Sequence, residues 1–406
     1  MTVLSQYTPY KDAFSGNVLP LVSQASLNSF PTLSPVSINS YSASQSSANQ
    51  FLVSTFYASA SNVNVVGTPF TVSDSGVITA GTAAVASNTS GTNASTTINS
   101  DSYPGETAFV SRSFFNGSYR IVYANSRITG SNTASSYFVD SGSDYTSNYP
   151  YPSQPVAIST SQASAATRFL IYPGYDPSSY ISYSALSETT TSYSRSSSGS
   201  LSTYSSTCGG AQALQHFSDT SSRNGVIFDH RSATSGFYLS ECHSGSTVTG
   251  LGYVSNIFNP ADFNNYSYYT GFKLSSGKSV YVSKTGNSFT TNSTGSILGS
   301  SKSLSLFGNV YSYYQPFTQI ALGNNVFALL NTTSSQITIF KIIENATTYV
   351  HDINVISRIQ IDTTIIPPLA DGSSTFYRFG GTNNKFLIVF NPFFVKVYDA
   401  SSLTLS

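Results

Sequence analysis

Residues 322–345 read "LGNNVFALLNTTSSQITIFKIIEN". A turn signal opens the stretch at 322–325, an apolar run fills 326–330, a polar turn interrupts it, and a second apolar run closes it. Two strand-length runs joined by turn residues read as a β-hairpin. The first run is apolar throughout, as a strand buried on both faces is, and the second alternates at Ile337 and Ile339. Whether this hairpin stands alone or recurs decides the fold.

It recurs. Similar runs are "NQFLVSTF" around Phe51, "ETAFVSRSFF" around Phe109, "TRFLIYPGY" around Phe169, "NGVIFDHRS" around Val226, "GKSVYVSKTG" around Val280 and "NNKFLIVFN" around Phe386. With Val326 included, successive centres lie 58, 60, 57, 54, 46 and 60 residues apart. Most are followed by a second strand candidate at hairpin distance: "NVNVVGTPFTV" (62–72), "GSYRIVYANSRI" (117–128), "SGFYLSEC" (235–242), "NSFTTNS" (287–293) and "FFVKVYDAS" (393–401). Several also have a strand candidate before them: "YYTGFKLS" (268–275), "FTQIAL" (317–322) and "STFYRFGG" (374–381). That makes three to four strands per unit.

Units of this size, built from meandering strands, indicate a β-propeller. One such sheet has two apolar faces and buries them only against its neighbours, and closing the circle removes the exposed ends. The expected fold is all-β: a seven-bladed β-propeller over residues 46–406, preceded by an extended N-terminal arm over 1–45 that docks on a partner or on the ring. A two-domain sandwich with tandem meanders and a β-solenoid are the alternatives. Only "SLTLS" remains after the last strand candidate, so the final blade is one strand short. The segment "PVSINSYS" (35–42) is predicted to complete it. Residues 87–104 and 187–206 read as long solvated loops, and "AQALQHFS" (211–218) as one short helical turn.

Composition narrows function by elimination. Charged residues make up 8% of the 406, and Lys+Arg and Asp+Glu are both 17, so the net charge is zero. That balance excludes electrostatic attraction as the main source of affinity for nucleic acid or an anionic membrane. Aromatic residues reach 14%, with 29 Tyr and 27 Phe, which argues against disorder. Hydroxyls and amides must solvate the surface where charges normally do, and such a surface is nearly insensitive to pH. It suits the exterior of virions, S-layers and adhesins. No basic n-region and no unbroken apolar h-region open the chain, so no secretory signal is expected. No segment reaches 18 apolar residues, so no membrane span is expected.

Chemistry-bearing motifs are sparse. Cys208 and Cys242 are the two cysteines, and His216, His230 and His243 lie between or beside them. A disulfide is the first reading of the pair, two buried free thiols the second, and a zinc site with the histidines the third. There is no H-E-x-x-H, no G-x-S-x-G and no phosphate-binding loop. "GFKLSSGKS" (271–279) approaches the last of these but has one residue too many between its glycines. Asp229 beside His230 invites a triad reading that any Ser-rich chain offers. No catalytic residue, metal or cofactor is assigned, and the chain is expected not to be an enzyme.

Among propeller families, the absence of Trp rules out the usual WD-repeat signature. "YRFGGTNN" (377–384) resembles a kelch double glycine but occurs once, and "TVSDSGVIT" (71–79) resembles part of a sialidase Asp box without its aromatic. The overall texture, rich in Ser, Thr, Asn and Tyr and poor in charge, resembles the tail, spike and nozzle structural proteins of viruses, including those infecting archaea of hot acid springs. That resemblance implies a structural protein of the virion's exterior. Its partners are other virion proteins or copies of itself, with host surface glycan as a ligand for attachment. A microbial surface adhesin or lectin-like glycan-binding module is the alternative.

Tyrosine clusters are the binding candidates, because a phenol offers a flat apolar face and a hydroxyl at low entropic cost. They comprise Tyr266, Tyr268 and Tyr269 in "NNYSYYTGF", Tyr313 and Tyr314 in "VYSYYQPF", and Tyr172 and Tyr175 in "YPGYDPSSYISYS". Seven N-x-S/T acceptors also occur, at Asn88, Asn93, Asn116, Asn265, Asn292, Asn331 and Asn345.

Overall fold

The computed structural model describes residues 19–27, 37–59, 62–88, 94–103, 105–115, 118–140, 156–159, 167–173, 181–188, 193–201, 208–217, 223–230, 236–242, 248–255, 269–283, 288–292, 297–299, 319–331, 336–345, 352–360, 375–379, 385–391 and 394–401. Between 156 and 255 the description is of strand path and pairing.

The hairpin expected at 322–345 is present. Strand β23 (Gln319–Gly323) turns into β24 (Val326–Asn331), which pairs with β25 (Gln336–Ile343), which pairs with β26 (Asp352–Gln360). The first turn is tight because Gly323, Asn324 and Asn325 all have positive φ (99°, 50° and 61°). Gly and Asn enter that region more easily than other residues, which explains the Leu-Gly-Asn-Asn signature.

The same meander repeats along the chain, and among the described residues there are seven antiparallel sheets and no helix. The first contains β2 (Ser37–Ser47), β3 (Gln50–Ser59), β4 (Asn62–Val72), β5 (Ile78–Ala80) and β6 (Ala84–Asn88), the last two both pairing with β4. The second runs β7 (Ala94–Tyr103), β8 (Glu106–Phe115), β9 (Ser118–Gly130), β10 (Thr133–Asp140). The third runs β11 (Val156–Ser159), β12 (Thr167–Pro173), β13 (Ile181–Glu188), β14 (Tyr193–Leu201), and the fourth β15 (Cys208–Phe217), β16 (Arg223–His230), β17 (Gly236–Cys242), β18 (Val248–Ser255). The fifth runs β19 (Tyr269–Lys273), β20 (Ser279–Ser283), β21 (Ser288–Thr291), β22 (Ile297–Gly299). The sixth is β23 to β26. The seventh contains β27 (Thr375–Phe379), β28 (Lys385–Asn391), β29 (Phe394–Asp399) and, on its outer side, β1 (Leu21–Ser26).

The first strands of consecutive sheets touch in order: β2 to β7, β7 to β11, β11 to β15, β15 to β19, β19 to β23 and β23 to β27, and β27 touches β2 again. The hydrophobic clusters show why. Each takes side chains from two consecutive sheets, since a sheet apolar on both faces needs a neighbour on each side. Phe272 and Val280 pack with Phe327, Phe340 and Ile342; Val326, Ile337 and Ile339 pack with Phe386 and Tyr398. Phe51, Val53 and Phe70 pack with Phe379, Leu387 and Val397, joining the first sheet to the last. Phe56 and Val65 pack with Phe109 and Ala124. Even Lys396, which interrupts the apolar run of β29, is fully buried, its ammonium 5.9 Å from the Phe394 ring centre.

The interior is also hydroxyl-rich, which the surface-solvation reading of the composition does not anticipate. Ser54, Thr107 and Ser126 are fully buried where the first two sheets meet, and Thr55, Thr68 and Asn125 are fully buried on the opposite faces of those two sheets. Thr107 Oγ1 donates to Ser54 Oγ at 2.6 Å, and the Ser126 and Ser136 hydroxyls lie 2.8 Å apart. Paired hydroxyls of this kind are tolerated in an apolar interface because each satisfies another. The close approach depends on Gly67 in β4. A Cβ there would stand 2.6 Å from Ser126 Cβ, next to the backbone of the facing sheet. Gly67→Val is therefore expected to overpack the interface and to destabilise by about 1–3 kcal/mol, read as a lowered urea midpoint.

Four expectations are corrected. The strand that completes the seventh sheet is Leu21–Ser26, not 35–42: Ala25 pairs with Val395 and Gln24 with Lys396, and Asp399 N–H donates to the Pro20 carbonyl at 2.9 Å. Residues 37–47 instead form the first strand of the first sheet, because the short turn at Ala48 and Asn49 folds them back on β3. A boundary at residue 45 therefore falls inside β2. The segments 87–104 and 187–206 contain β7 and β14 rather than continuous loops, and 211–218 is mostly strand β15, not a helical turn. These strands are rich in Ser, Thr, Gly or Gln and lack the apolar alternation that marks the others.

Candidate functional site

In an antiparallel meander the turns from first to second strand and from third to fourth strand share one end of the sheet. The remaining connections share the other. The two ends differ here.

The turn end is tied from sheet to sheet. Asn325, in the β23–β24 turn, accepts the Ser275 N–H on its Oδ1 at 2.7 Å and donates from Nδ2 to Glu344 Oε1 at 3.1 Å. Glu344 Oε2 in turn accepts from the Ser276 hydroxyl at 2.7 Å and lies 3.6 Å from Lys278 Nζ. The fifth and sixth sheets are thereby joined. Arg378 Nη1 donates to the Leu322 carbonyl at 3.5 Å, linking the seventh sheet to the sixth. Gln45 Nε2 donates to the Arg378 carbonyl at 3.2 Å, linking the first sheet to the seventh. Gly105 N–H donates to Ser44 Oγ at 2.9 Å, and Gln50 Nε2 to the carbonyls of Gly130 and Ser131 at 2.7 and 2.9 Å, linking the first to the second.

Sequence reasoning missed this network. Its one legible signal was the Leu-Gly-Asn-Asn turn, because an Asn with positive φ has its amide free to bridge neighbours. The partners are scattered polar residues with no motif. Burial by itself would raise the Glu344 carboxyl, but the hydrogen bonds from Ser276 and Asn325 and the Lys278 ammonium outweigh it and hold the group below its ordinary value. A carboxylate with a lowered folded pKa stabilises above its unfolded value, near pH 4.3, and that contribution fades as pH falls through the folded value. Glu344→Gln is expected to lower the urea midpoint at neutral pH by an amount corresponding to about 0.5–1 kcal/mol, since the pair is partly solvated. The difference between variant and wild type should shrink below about pH 4.

The connection end carries the candidate binding tyrosines as far as they are described. Tyr172 is the penultimate residue of the second strand of its sheet, and Tyr269 is the first residue of the first strand of its own. By strand order both stand at this end. Tyr175, Tyr266, Tyr268, Tyr313 and Tyr314 lie outside the described residues.

Cys208 and Cys242 are not placed for a disulfide. Cys208 opens β15 and stands opposite His230, the last residue of β16. Cys242 closes β17 and stands opposite Asn224, near the start of β16. The two cysteines thus flank β16 on opposite sides and are six residues apart along it, roughly 20 Å at the usual rise. A disulfide needs Cα atoms within about 7 Å. The same separation prevents one zinc ion from gathering both thiols with His216, which stands opposite Asn224, and His230. His243 lies outside the described residues, and among the described residues no group of three His, Cys, Asp or Glu side chains is gathered. No helix among them is long and apolar enough to cross a membrane.

No family model and no curated protein matches the chain. Solved structures do align with it. Sqt1 from Chaetomium thermophilum is 8% identical over 94% of this chain and 99% of that one, with a TM-score of 0.43. The periplasmic gluconolactonase of Pseudomonas aeruginosa is 9% identical over 77% and 83%, with a TM-score of 0.42. Hsv2 of Kluyveromyces lactis is 9% identical over 80% and 100%, with a TM-score of 0.35. At such scores and identities none of the three carries an argument about activity or ligand.

Proposed function

We propose that the chain is a seven-bladed β-propeller serving as a non-enzymatic structural component of a virion's exterior, in its tail, spike or vertex apparatus. It assembles with neighbouring virion proteins or with copies of itself and presents its connection end to host surface glycan. The observation that carries this reading is the near-absence of charge, 17 cations and 17 anions in 406 residues, on a scaffold wired from sheet to sheet. A surface with few titratable groups keeps its character across changes of pH and salt. A body whose sheets are cross-tied holds loops at fixed spacing for assembly. The Tyr-rich connections suit the flat apolar faces of sugar rings as well as protein interfaces.

Three results bear on the proposal. Peptide mass spectrometry of purified particles should find the chain at stoichiometric abundance, and its absence there ends the virion assignment. A glycan array should show binding that Tyr172→Ala and Tyr269→Ala weaken; binding by a chain absent from particles would favour an adhesin or lectin-like module. Turnover of a polysaccharide or lactone would overturn the non-enzymatic assignment.

A further inference from the structure

Of the residues expected to form an N-terminal arm, 21–26 and 37–47 are strands, and 1–18 lie outside the described residues. The chain enters the described structure at a defined place. Asp399 N–H donates to the Pro20 carbonyl, so Leu19 and Pro20 stand at the turn end of the outer rim, and β1 runs from there toward the connection end. Among the described residues β1 is the outermost strand of the seventh sheet, bonded to β29 on one side only. Every second backbone N–H and C=O of such a strand points away from its partner. An unpaired edge of this kind is a template for another strand.

The rim beside that edge is apolar. Leu21, Val22 and Val77 are 41%, 39% and 60% exposed. They form one patch because β1 leans on the turn between β4 and β5. A Cβ at Gly76 would stand 2.5 Å from Val22 Cγ1, and the Ser23 hydroxyl donates to the Gly76 carbonyl. Residues 19–27 contain no charged side chain, so the strand lacks the lysines that guard many edges. Its one irregularity is the register shift between Leu21 and Ser23.

The sequence before Leu19 fits this edge. "SGN" (15–17) is a three-residue turn signal with Gly inside it, of the kind that joins hairpin strands. Ahead of it, "TVLSQYTPYKDAF" (2–14) carries Val3, Leu4, Tyr7, Tyr10 and Phe14, with one cation, Lys11, and one anion, Asp12. Pro9, which a central strand excludes, is tolerated on an edge. At about 3.3 Å per residue this segment is long enough to run the whole length of the six-residue β1. Tethering decides which copy supplies it. A segment joined to its site by a short link acts at an effective concentration in the millimolar range, above that of a second copy in dilute solution.

We propose that residues 2–14 fold back through the turn at 15–17 and pair with the outer edge of β1, adding a fifth strand to the seventh sheet and covering its apolar rim. The arm is the chain's own edge guard: with it in place, the seventh sheet offers no bare edge to a second copy. The inference does not depend on the virion assignment.

Residue-resolved amide hydrogen exchange on the full chain, in dilute solution, tests this. The outward-pointing amides within 21–26 are expected to be protected. In a variant lacking residues 1–14, which keeps β1, they should exchange about tenfold or more faster. Gln336–Ile343, paired on both sides, should exchange as before. Light scattering should show the variant associating at lower concentration than the full chain. Equal exchange of these amides in the two chains would overturn the proposal. So would protection that the full chain loses on dilution, which would assign the covering strand to a second copy. If the deletion variant does not fold, the full chain carrying Gly16→Val and Asn17→Val decides. β-Branched residues oppose the positive φ that such turns need, so the outward amides should lose protection, and unchanged protection would refute the hairpin.

Discussion

A chain lacking residues 1–27 is expected to lose most of its stability. Those residues supply β1, whose register with β29 runs from Leu21 opposite Tyr398 to Ser26 opposite Phe394. They also supply Leu19 and Leu27, both buried, one in the cluster between the sixth and seventh sheets and the other in the cluster between the seventh and first. Exposing two leucines costs on the order of 3–6 kcal/mol at 1.5–3 each. Whole domains are stable by only about 5–15 kcal/mol. The deletion also leaves β29 as a bare edge, with its hydrogen-bonding groups open to another chain. Thermal unfolding followed by circular dichroism should show a midpoint lowered by about 4–7 °C, or aggregation on expression. An unchanged midpoint would mean that β1 does not hold the seventh sheet together.

Phe51→Ala should be the most damaging single substitution. Phe51 is fully buried, stacked on Phe70 with centroids 5.3 Å apart, and meets Tyr377 and Phe379 of the seventh sheet at 5.7 Å each. It therefore stands where the first sheet meets the last. Truncating a buried Phe to Ala costs about 3–5 kcal/mol, and this one removes aromatic contacts on both sides of the junction. Val77→Ala is the control: Val77 is 60% exposed and lies in the turn between β4 and β5 of the same sheet, so its effect should stay within about 0.5 kcal/mol. Equilibrium urea unfolding of both variants checks the contrast. Equal, small effects would contradict the packing described between the two sheets.

The sequence made the apolar strands legible. The runs around Phe51, Phe109, Val280, Val326 and Phe386 all fall within strands and supply the centres of clusters. They were readable because a strand packed on both faces must be apolar nearly throughout. The polar strands were not. β7 reads "ASTTINSDSY" and β14 reads "YSRSSSGSL", and neither carries a hydrophobic period. Sheets admit such strands because cross-strand backbone bonding does not depend on side chains, and because buried hydroxyls pair, as Thr107 does with Ser54. The closing strand was misplaced for a related reason. "PVSINSYS" and "LVSQAS" are about equally strand-like, and the choice between them is made by the short turn after β2, a constraint of chain connectivity rather than composition.

The candidate sites were less legible still. Proximity in sequence suggested that Cys208, Cys242 and the histidines form one cluster, but alternating strand direction sends the two cysteines to opposite ends of the fourth sheet. The Asn325–Glu344–Ser276–Lys278 network joins residues up to 68 positions apart and has no sequence pattern.

An experimental density map that resolves individual strands tests the central claim most directly, whether from crystals or from single particles. The account predicts seven radial sheets about one axis, with residues 21–26 lying antiparallel to 394–399 on the outer side of the last and Phe51 against Phe379 across the junction between first and last. A different number of sheets, an open stack in which 375–379 does not meet 37–47, or a seventh sheet closed by some other strand would contradict it.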